Sequence, residues 1–199
     1  MLQRGLLGGL ILSVVGCATE LPSLVHQDQV TGNLVVGRVF TVLTGERARR
    51  YLPQVRFLEL ENQDSLKRFQ VEIESPDQRF AVSLPPGRYQ LTRVQISEGP
   101  FMSMADLSMA LSVGAGAITY VGTWRFGVDS PRYGRMVAVS VVADQTETVR
   151  VWGFLDDQYP TFDRRSMVEM LPQPSQMEVR LYEVMPYPRY SRYFRRHWW

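Results

Sequence analysis

Apolar and polar residues alternate along most of the chain between residues 34 and 143, and this alternation predicts β-strands. Every second residue is apolar over residues 68–74, and residues 80–84 repeat the pattern. A period of two places one side of a strand in the core and the other in water. The phase slips between Leu91 and Val94, which predicts a β-bulge.

The clearest local prediction is a hairpin. Residues 107–113 alternate, Gly114-Ala115-Gly116 turns the chain, and apolar residues of the next strand follow over residues 118–126. Residues 135–142 are almost continuously apolar, as in a strand covered on both faces. About eight short strands at regular spacing predict a mainly β protein, an antiparallel β-sandwich.

The pattern changes after Asp144, where a short C-terminal helical segment is predicted. Asp144 and Glu147 have the spacing of a helix N-cap and its capping-box partner, and we expect the helix to end near Asp157. Helical spacing continues in Val149, Trp152 and Leu155. A second short helical turn is predicted over residues 163–171, followed by a last strand over residues 177–184.

Several of these segments resemble a known fold family. Its motif residues are Gly37-Arg38-Val39, Val55-Arg56-Phe57-Leu58, Phe80-Ala81-Val82 and the turn Leu84-Pro85-Pro86-Gly87-Arg88-Tyr89. This order resembles the prealbumin-like (transthyretin-like, Ig-like) sandwich of carboxypeptidase regulatory-like domains. The segment 117–123 is similar to the next strand in several families of uncharacterised bacterial lipoproteins. The resemblance covers residues 33–143, where it implies a sandwich core and no enzyme active site. The helical C-terminal part departs from the family pattern, and we expect residues 144–185 to complete the domain.

The N-terminal residues predict export. A positively charged start at Arg4 precedes an uncharged apolar run over residues 5–15, which is shorter than a membrane-spanning helix. Val14-Val15-Gly16-Cys17 then resembles the lipobox of bacterial lipoproteins. That resemblance implies a signal peptide over residues 1–16 and a lipid on Cys17, which would anchor the protein stably. The alternative is an ordinary apolar segment with an unmodified cysteine.

Residues 17–32 are predicted to form a tether, because they contain proline and polar residues without a sustained period. Ala18 occupies the position where an aspartate retains lipoproteins at the inner membrane, so we expect an outer-membrane lipoprotein facing the periplasm. Cys17 is the only cysteine, and its lipidation would exclude an internal disulfide.

The last segment, residues 186–199, is predicted to be a basic aromatic tail. It contains four arginines and no acid, so residues 1–185 carry −2, the total of +2 less those four charges. A slightly acidic body disfavours nucleic acid as a partner. Aromatic side chains beside arginines suit an anionic membrane surface or a groove on a partner protein. A disordered terminus or a strand that closes the sandwich is the alternative. The candidate contact residues are Arg189, Tyr190, Arg192, Tyr193, Phe194, Arg195, Arg196, Trp198 and Trp199.

Candidate catalytic and metal-binding residues are few. The two histidines, His26 and His197, lie in the tether and the tail, which disfavours a serine-type triad or a zinc site. Asp156 and Asp157 are interpreted as a solvated helix end, although with Asp163 and Glu169 they could be a carboxylate or calcium site. Methionines 102, 104 and 109 are interpreted as core or edge packing. No catalytic residue, metal or cofactor is therefore predicted.

These observations predict a membrane-anchored envelope lipoprotein that acts as a non-catalytic structural or protein-interaction module, with an envelope protein as partner. The first alternative is a glycan- or lipid-binding module that uses aromatic residues near strand ends, such as Trp124 and Tyr133. The second is a hydrolase, which would require a perturbed carboxylate in a deep cleft.

Overall fold

The computed structural model describes residues 18–26, 30, 33–44, 50–74, 78–116, 118–129, 135–143, 145–161 and 167–184, and the structural statements below concern these residues. They form eleven strands and one helix. The elements are β1 (Thr19–Leu21), β2 (Leu34–Leu43), β3 (Gln54–Asn62), β4 (Arg68–Glu72), β5 (Arg79–Ser83), β6 (Gly87–Glu98), β7 (Phe101–Val113), β8 (Ile118–Val128), β9 (Met136–Val142), α1 (Gln145–Gln158), β10 (Met167–Glu169) and β11 (Glu178–Val184).

All strands belong to one sheet, in the order β1-β4-β3-β6-β7-β11-β9-β8-β2-β5, with β10 beside β8. The sheet curves so strongly that it nearly closes into a barrel. The prediction of a mainly β protein is confirmed, but the sheet is mixed and not antiparallel as predicted. Strand β2 pairs with β8 in parallel, as do β1 with β4 and β10 with β8. Alternation along a strand carries no information about the direction of its neighbour, which explains the error.

Strand β11 joins the two halves of the sheet. Its first residues, Glu178 to Arg180, pair with β9, and its last residues, Leu181 to Val184, pair with β7. Apolar side chains from both halves enclose one core, as expected where a curved sheet packs against itself. Trp124 of β8 and Phe80 of β5 lie in this core with ring centroids 5.6 Å apart.

β-Bulges in β3, β6 and β8 help to set which side chains face that core. The predicted slip in β6 is confirmed, since its register with β7 shifts between Leu91 and Arg93. Another bulge lies in β8 at Gly122, where φ is +77°. A Cβ at this glycine would lie 2.6 Å from a side-chain carbon of Leu171. The extra residue turns Trp124 inward after Val121, so both side chains reach the core.

The segment that follows Cys17 lies against the body. Strand β1 is the outermost strand beside β4, and Leu24 forms a bridge with Ala81 of β5, the strand at the other end of the sheet. The Ala81 N–H donates to the Ser23 carbonyl at 2.6 Å, and the Val25 N–H donates to the Ala81 carbonyl at 3.1 Å. Residues 19–25 therefore connect the two open edges of the sheet, which differs from the prediction of a tether here.

The predicted helix is confirmed as α1. Its buried side chains, Glu147, Val151 and Leu155, recur at helical spacing, and the two apolar ones pack on the outer face of β2 and β8, opposite the main core. Of the residues predicted from helical spacing, Leu155 is buried but Val149 is 69% exposed. Residues 167–169 form β10 and not the predicted helical turn; the preceding residues 162–166 lie outside the described part of the chain. Strand β9 pairs with β8 only from Thr123 onward, and β10 pairs with β8 at Ile118–Tyr120 instead. The predicted last strand is confirmed as β11.

We expect Tyr89→Phe to destabilise the fold. Tyr89 is buried, and its hydroxyl donates to the Pro85 carbonyl at 2.7 Å across the turn before β6. Loss of this bond leaves a carbonyl without its partner and should lower the free energy of unfolding by about 1–2 kcal/mol. Tyr182→Phe is the matched control, because the Tyr182 hydroxyl bonds Asp106 at the exposed surface. Urea denaturation would measure both variants, and equal losses would contradict the prediction.

Candidate functional site

Most residues predicted to contact a membrane or partner lie outside the described part of the chain. These are Cys17 and the basic aromatic tail, together with Tyr133. Trp124, the other aromatic residue considered for ligand binding, is 1% exposed, and its indole N–H donates to the Val121 carbonyl at 2.8 Å. Its assignment to a ligand surface is therefore wrong, because the bulge at Gly122 turns the ring into the core.

The structure also places most of the candidate carboxylates and all three candidate methionines. Asp156 and Asp157 are exposed in the last turn of α1, Glu169 is exposed on β10, and Asp163 lies outside the described residues. In the described part of the chain, no three side chains of the metal-ligating types come together. Met109 is fully buried, whereas Met102 and Met104 are half-buried on β7 beside β11, so their interpretation as core and edge packing is confirmed. The chain turns at Gly116, whose N–H donates to the Asn33 side chain at 2.6 Å. The predicted hairpin is wrong, however, because β7 pairs with β6 and β11 and β8 pairs with β9, β2 and β10, so the turn connects two strands that are not neighbours.

The described structure brings together a set of charged residues that the sequence analysis did not identify. We call it the arginine cluster, and it consists of Arg38, Arg79, Arg125 and Arg150 around Glu147. Arg38 on β2 pairs directly with Arg79 on β5, and Arg125 on β8 pairs with Phe40 on β2. Residues paired in this way share a face of the sheet, so the three strand arginines lie on the outer face beside α1.

An aromatic ring separates two of these arginines. The guanidinium carbons of Arg38 and Arg125 lie 5.2 Å and 5.4 Å from the centroid of the Phe40 ring. Each distance permits a cation–π attraction, which partly offsets the repulsion between the two positive charges. The Nε of Arg125 is buried and has no hydrogen-bond partner among the described residues. Phe40 thus contacts the guanidinium groups of two arginines on neighbouring strands.

Glu147 supplies the negative charge of the cluster. One carboxylate oxygen, Oε1, accepts from Arg38 Nη1 at 2.9 Å and from Arg150 Nη1 at 2.7 Å. The Glu147 side chain is 9% exposed, because it lies on the buried face of α1 together with Val151 and Leu155. Such burial is costly for a carboxylate unless cations compensate it. The second oxygen, Oε2, is buried without a partner in the described structure.

Hydroxyl groups lie under the helix next to this carboxylate. Tyr120 is fully buried, and burial raises the pKa of its hydroxyl above the usual value, while the nearby side chains of Thr148 and Thr123 partly oppose the increase. Nearby Glu169 and Glu147 raise the pKa further through their charge. Tyr120 therefore stays protonated at neutral pH and acts as a neutral polar group.

The arginine cluster has the chemistry of an anion-binding surface. It brings four guanidinium groups to one region of the outer face, and guanidinium forks match carboxylate and phosphate oxygens. The sequence analysis missed it because Arg38, Arg79 and Arg125 are far apart in sequence. Only the register of β5, β2 and β8 brings them together. The one sequence signal is that each arginine occupies an outward position of an otherwise apolar strand.

No helix in the described part of the chain is long and apolar enough to cross a membrane. No protein-family model, curated protein or solved structure matches the chain.

We expect Glu147→Gln to destabilise the packing of α1 on the sheet. The change removes the charge that compensates Arg38 and should lower the free energy of unfolding by about 1–3 kcal/mol, the range for hydrogen bonds to charged groups. Glu169→Gln is the control, since Glu169 is exposed, and it should change stability by less than about 0.5 kcal/mol. Equilibrium unfolding monitored by tryptophan fluorescence would test this. Equal stability of the two variants would show that the ion pairs contribute nothing.

Proposed function

We propose that the chain is an exported lipoprotein, anchored by a lipid on Cys17 and acting as a non-catalytic structural or protein-interaction module of the cell envelope. The observation that carries the proposal is the order of features at the start of the sequence: a charged residue, Arg4, then an uncharged apolar run over residues 5–15, then Gly16 and Cys17. Strand β1 starts at Thr19, two residues after Cys17, and every described element follows it. Cleavage before Cys17 would therefore remove none of these elements. Ala18 after the cysteine favours the outer membrane, with the body in the periplasm.

We also propose that the body is a prealbumin-like sandwich. Three features support this proposal. The motif segments at Gly37, Val55 and Phe80 lie in β2, β3 and β5, which share one core. The turn motif ends in Tyr89, whose hydroxyl bonds the Pro85 carbonyl. Such a tyrosine corner is typical of β-sandwiches with Greek-key connections.

The non-catalytic assignment is supported by the position of the one histidine that the structure describes. His26 is exposed and lies two residues after the bridge between Leu24 and β5. A serine-type nucleophile needs a histidine held beside it by an acid, and an exposed residue in this segment suits that task poorly. An envelope protein remains the proposed partner, through the basic aromatic tail that follows β11.

A second candidate function is favoured by the arginine cluster. We propose as the alternative that it binds an anionic group of an envelope glycan or lipid. Guanidinium groups on three neighbouring strands would converge on such a group, and the Phe40 ring would keep two of them in position. In this alternative, the ligand contacts side chains on the outer face of the sheet and not Trp124.

We expect Cys17→Ser to release the protein from the membrane fraction of its host. Without the thiol no diacylglycerol can be attached, and more than one acyl chain is what makes anchoring stable. Ala18→Asp is the matched control, since it keeps the thiol and should move the protein to the inner membrane without releasing it. Fractionation and mass spectrometry of the mature amino terminus would measure both effects. An intact, unmodified amino terminus on the native protein would refute the lipid anchor.

For the alternative function, we expect Arg125→Gln to weaken binding of inorganic phosphate by about five-fold, the loss of roughly one charge-assisted contact. The Cys17→Ser form would keep the protein in solution for calorimetry. Arg88→Gln is the control, because Arg88 pairs with Asp64 at an exposed site away from the cluster. The arginine cluster would be eliminated as the anion site if the parent protein did not bind phosphate. The same would follow if both changes weakened binding equally.

A further inference from the structure

The short connection between Cys17 and the sheet restricts how an anchored body can sit on a membrane. Thr19, the first residue of β1, pairs with Phe69 at the start of β4. Only Ala18 separates it from Cys17. An extended chain spans at most about 3.6 Å per residue, so the Thr19 Cα lies within about 7 Å of the Cys17 Cα. A lipid on Cys17 therefore places the start of β4 next to the headgroup layer.

The turn between β3 and β4 lies beside this point. It runs from Asn62 to Lys67, and the side-chain oxygen of Asn62 accepts from the N–H groups of Asp64 at 3.0 Å and Ser65 at 2.8 Å. The Leu66 N–H donates to the Asn62 carbonyl at 2.8 Å. These bonds fix the turn. We call the end of the body that carries this turn, residues 62–67, the turn end.

Leu66, in the turn end, has an exposed side chain and an unfavourable backbone conformation. Its side chain is 70% exposed, and its φ of 57° lies in the left-handed region. That conformation costs a leucine about 1 kcal/mol, and exposure of the isobutyl group to water forfeits its hydrophobic contribution. Nothing in the packing of the described residues explains a leucine here. Contact with the acyl boundary of a membrane would bury it.

The charges at the turn end do not oppose such contact. Arg68 pairs with Glu61 at 2.9 Å and Arg88 pairs with Asp64 at 2.8 Å, so these four side chains are neutral in sum. Lys67 adds an exposed positive charge next to Leu66, and Glu20 on β1 adds an exposed negative one, so the charges near the anchor are balanced.

The C-terminal tail leaves from the other end of the body. Strand β11 ends at Val184, which pairs with Met102 of β7, near the β6–β7 turn. Strand β6 runs from the turn end to that turn over 12 residues, which is up to about 40 Å at 3.3 Å per residue. The exposed side chains of Leu52 and Phe101 lie at this distal end. The tail therefore begins far from the anchor.

We propose that the anchored protein sits with its turn end on the membrane, Leu66 in the headgroup–acyl boundary, and its distal end directed away. This inference rests on the proposed lipid anchor and adds an orientation to it. In this orientation, the turn end contacts the lipid surface of the membrane that holds the anchor. The distal end, with the tail, is then the part that can reach an envelope protein.

The test uses the full-length, lipidated protein with one new cysteine, Leu66→Cys or the matched control Leu52→Cys. Both leucines are about equally exposed, at 70% and 68%, so labelling should perturb the fold equally little. The lipid blocks the thiol of Cys17, so a thiol-reactive fluorophore labels only the new site. After reconstitution into vesicles that contain a shallow spin-labelled lipid, fluorescence quenching measures proximity to the headgroups. Lys67→Cys and Phe101→Cys form a second pair in case either first variant does not fold.

We expect quenching at residue 66 to be at least about two-fold stronger than at residue 52, because insertion at the boundary brings a label within about 10 Å of the headgroups. Equal quenching, or stronger quenching at residue 52, would overturn the orientation. Mass spectrometry of the same preparation separates the two proposals. A lipidated Cys17 without quenching at residue 66 refutes only the orientation, whereas an unmodified Cys17 refutes the anchor itself.

Discussion

The parallel pairing of β2 with β8 is the constraint on which the rest of the structure depends. Nine residue pairs, from Leu34–Ile118 to Leu43–Val128, join two segments that are far apart in sequence. Closing a loop of this length costs entropy, and burial on both faces of the two strands offsets it. One face contributes Val35, Val39 and Trp124 to the main core. The other face lies under α1, as parallel strands generally require cover on both sides.

Helix α1 covers only part of the outer face of β2, and the arginine cluster lies where this cover ends. Apolar residues face α1 in the first half of β2, at Leu34 and Val36, and the outward positions then become Arg38 and Phe40. Glu147 lies in the first turn of α1, where the helix meets these positions. An acidic residue in the first turn is favoured by the helix dipole, and here it also compensates the strand arginines. The site and the packing of α1 on the sheet are therefore parts of one arrangement.

Sequence reasoning predicted the elements that carry a local signal. The glycine turn after β7, the bulge in β6 and the helix α1 carry such a signal. The hairpin predicted from that turn is wrong, because β7 pairs with β6 and β11, whereas β8 pairs with β9, β2 and β10. Strands β1 and β10 carry no such signal, because three residues are too few to show a period. The direction of β2 against β8 and the approach of Arg38 to Arg79 depend on register between distant segments. Alternation within a strand does not encode that register, so the arginine cluster could not be predicted.

The segment after Cys17 shows how anchoring and folding would be coupled. Residues 19–25 connect β4 with β5 across the gap in the sheet, and the Tyr159 hydroxyl donates to the Val25 carbonyl at 2.6 Å, which links the segment to the end of α1. A flexible linker would let an anchored body rotate over many orientations. A segment paired at both edges instead transmits the position of the anchor to the sheet. For this chain, the proposed lipid on Cys17 would determine both where the body is held and which of its ends meets the membrane.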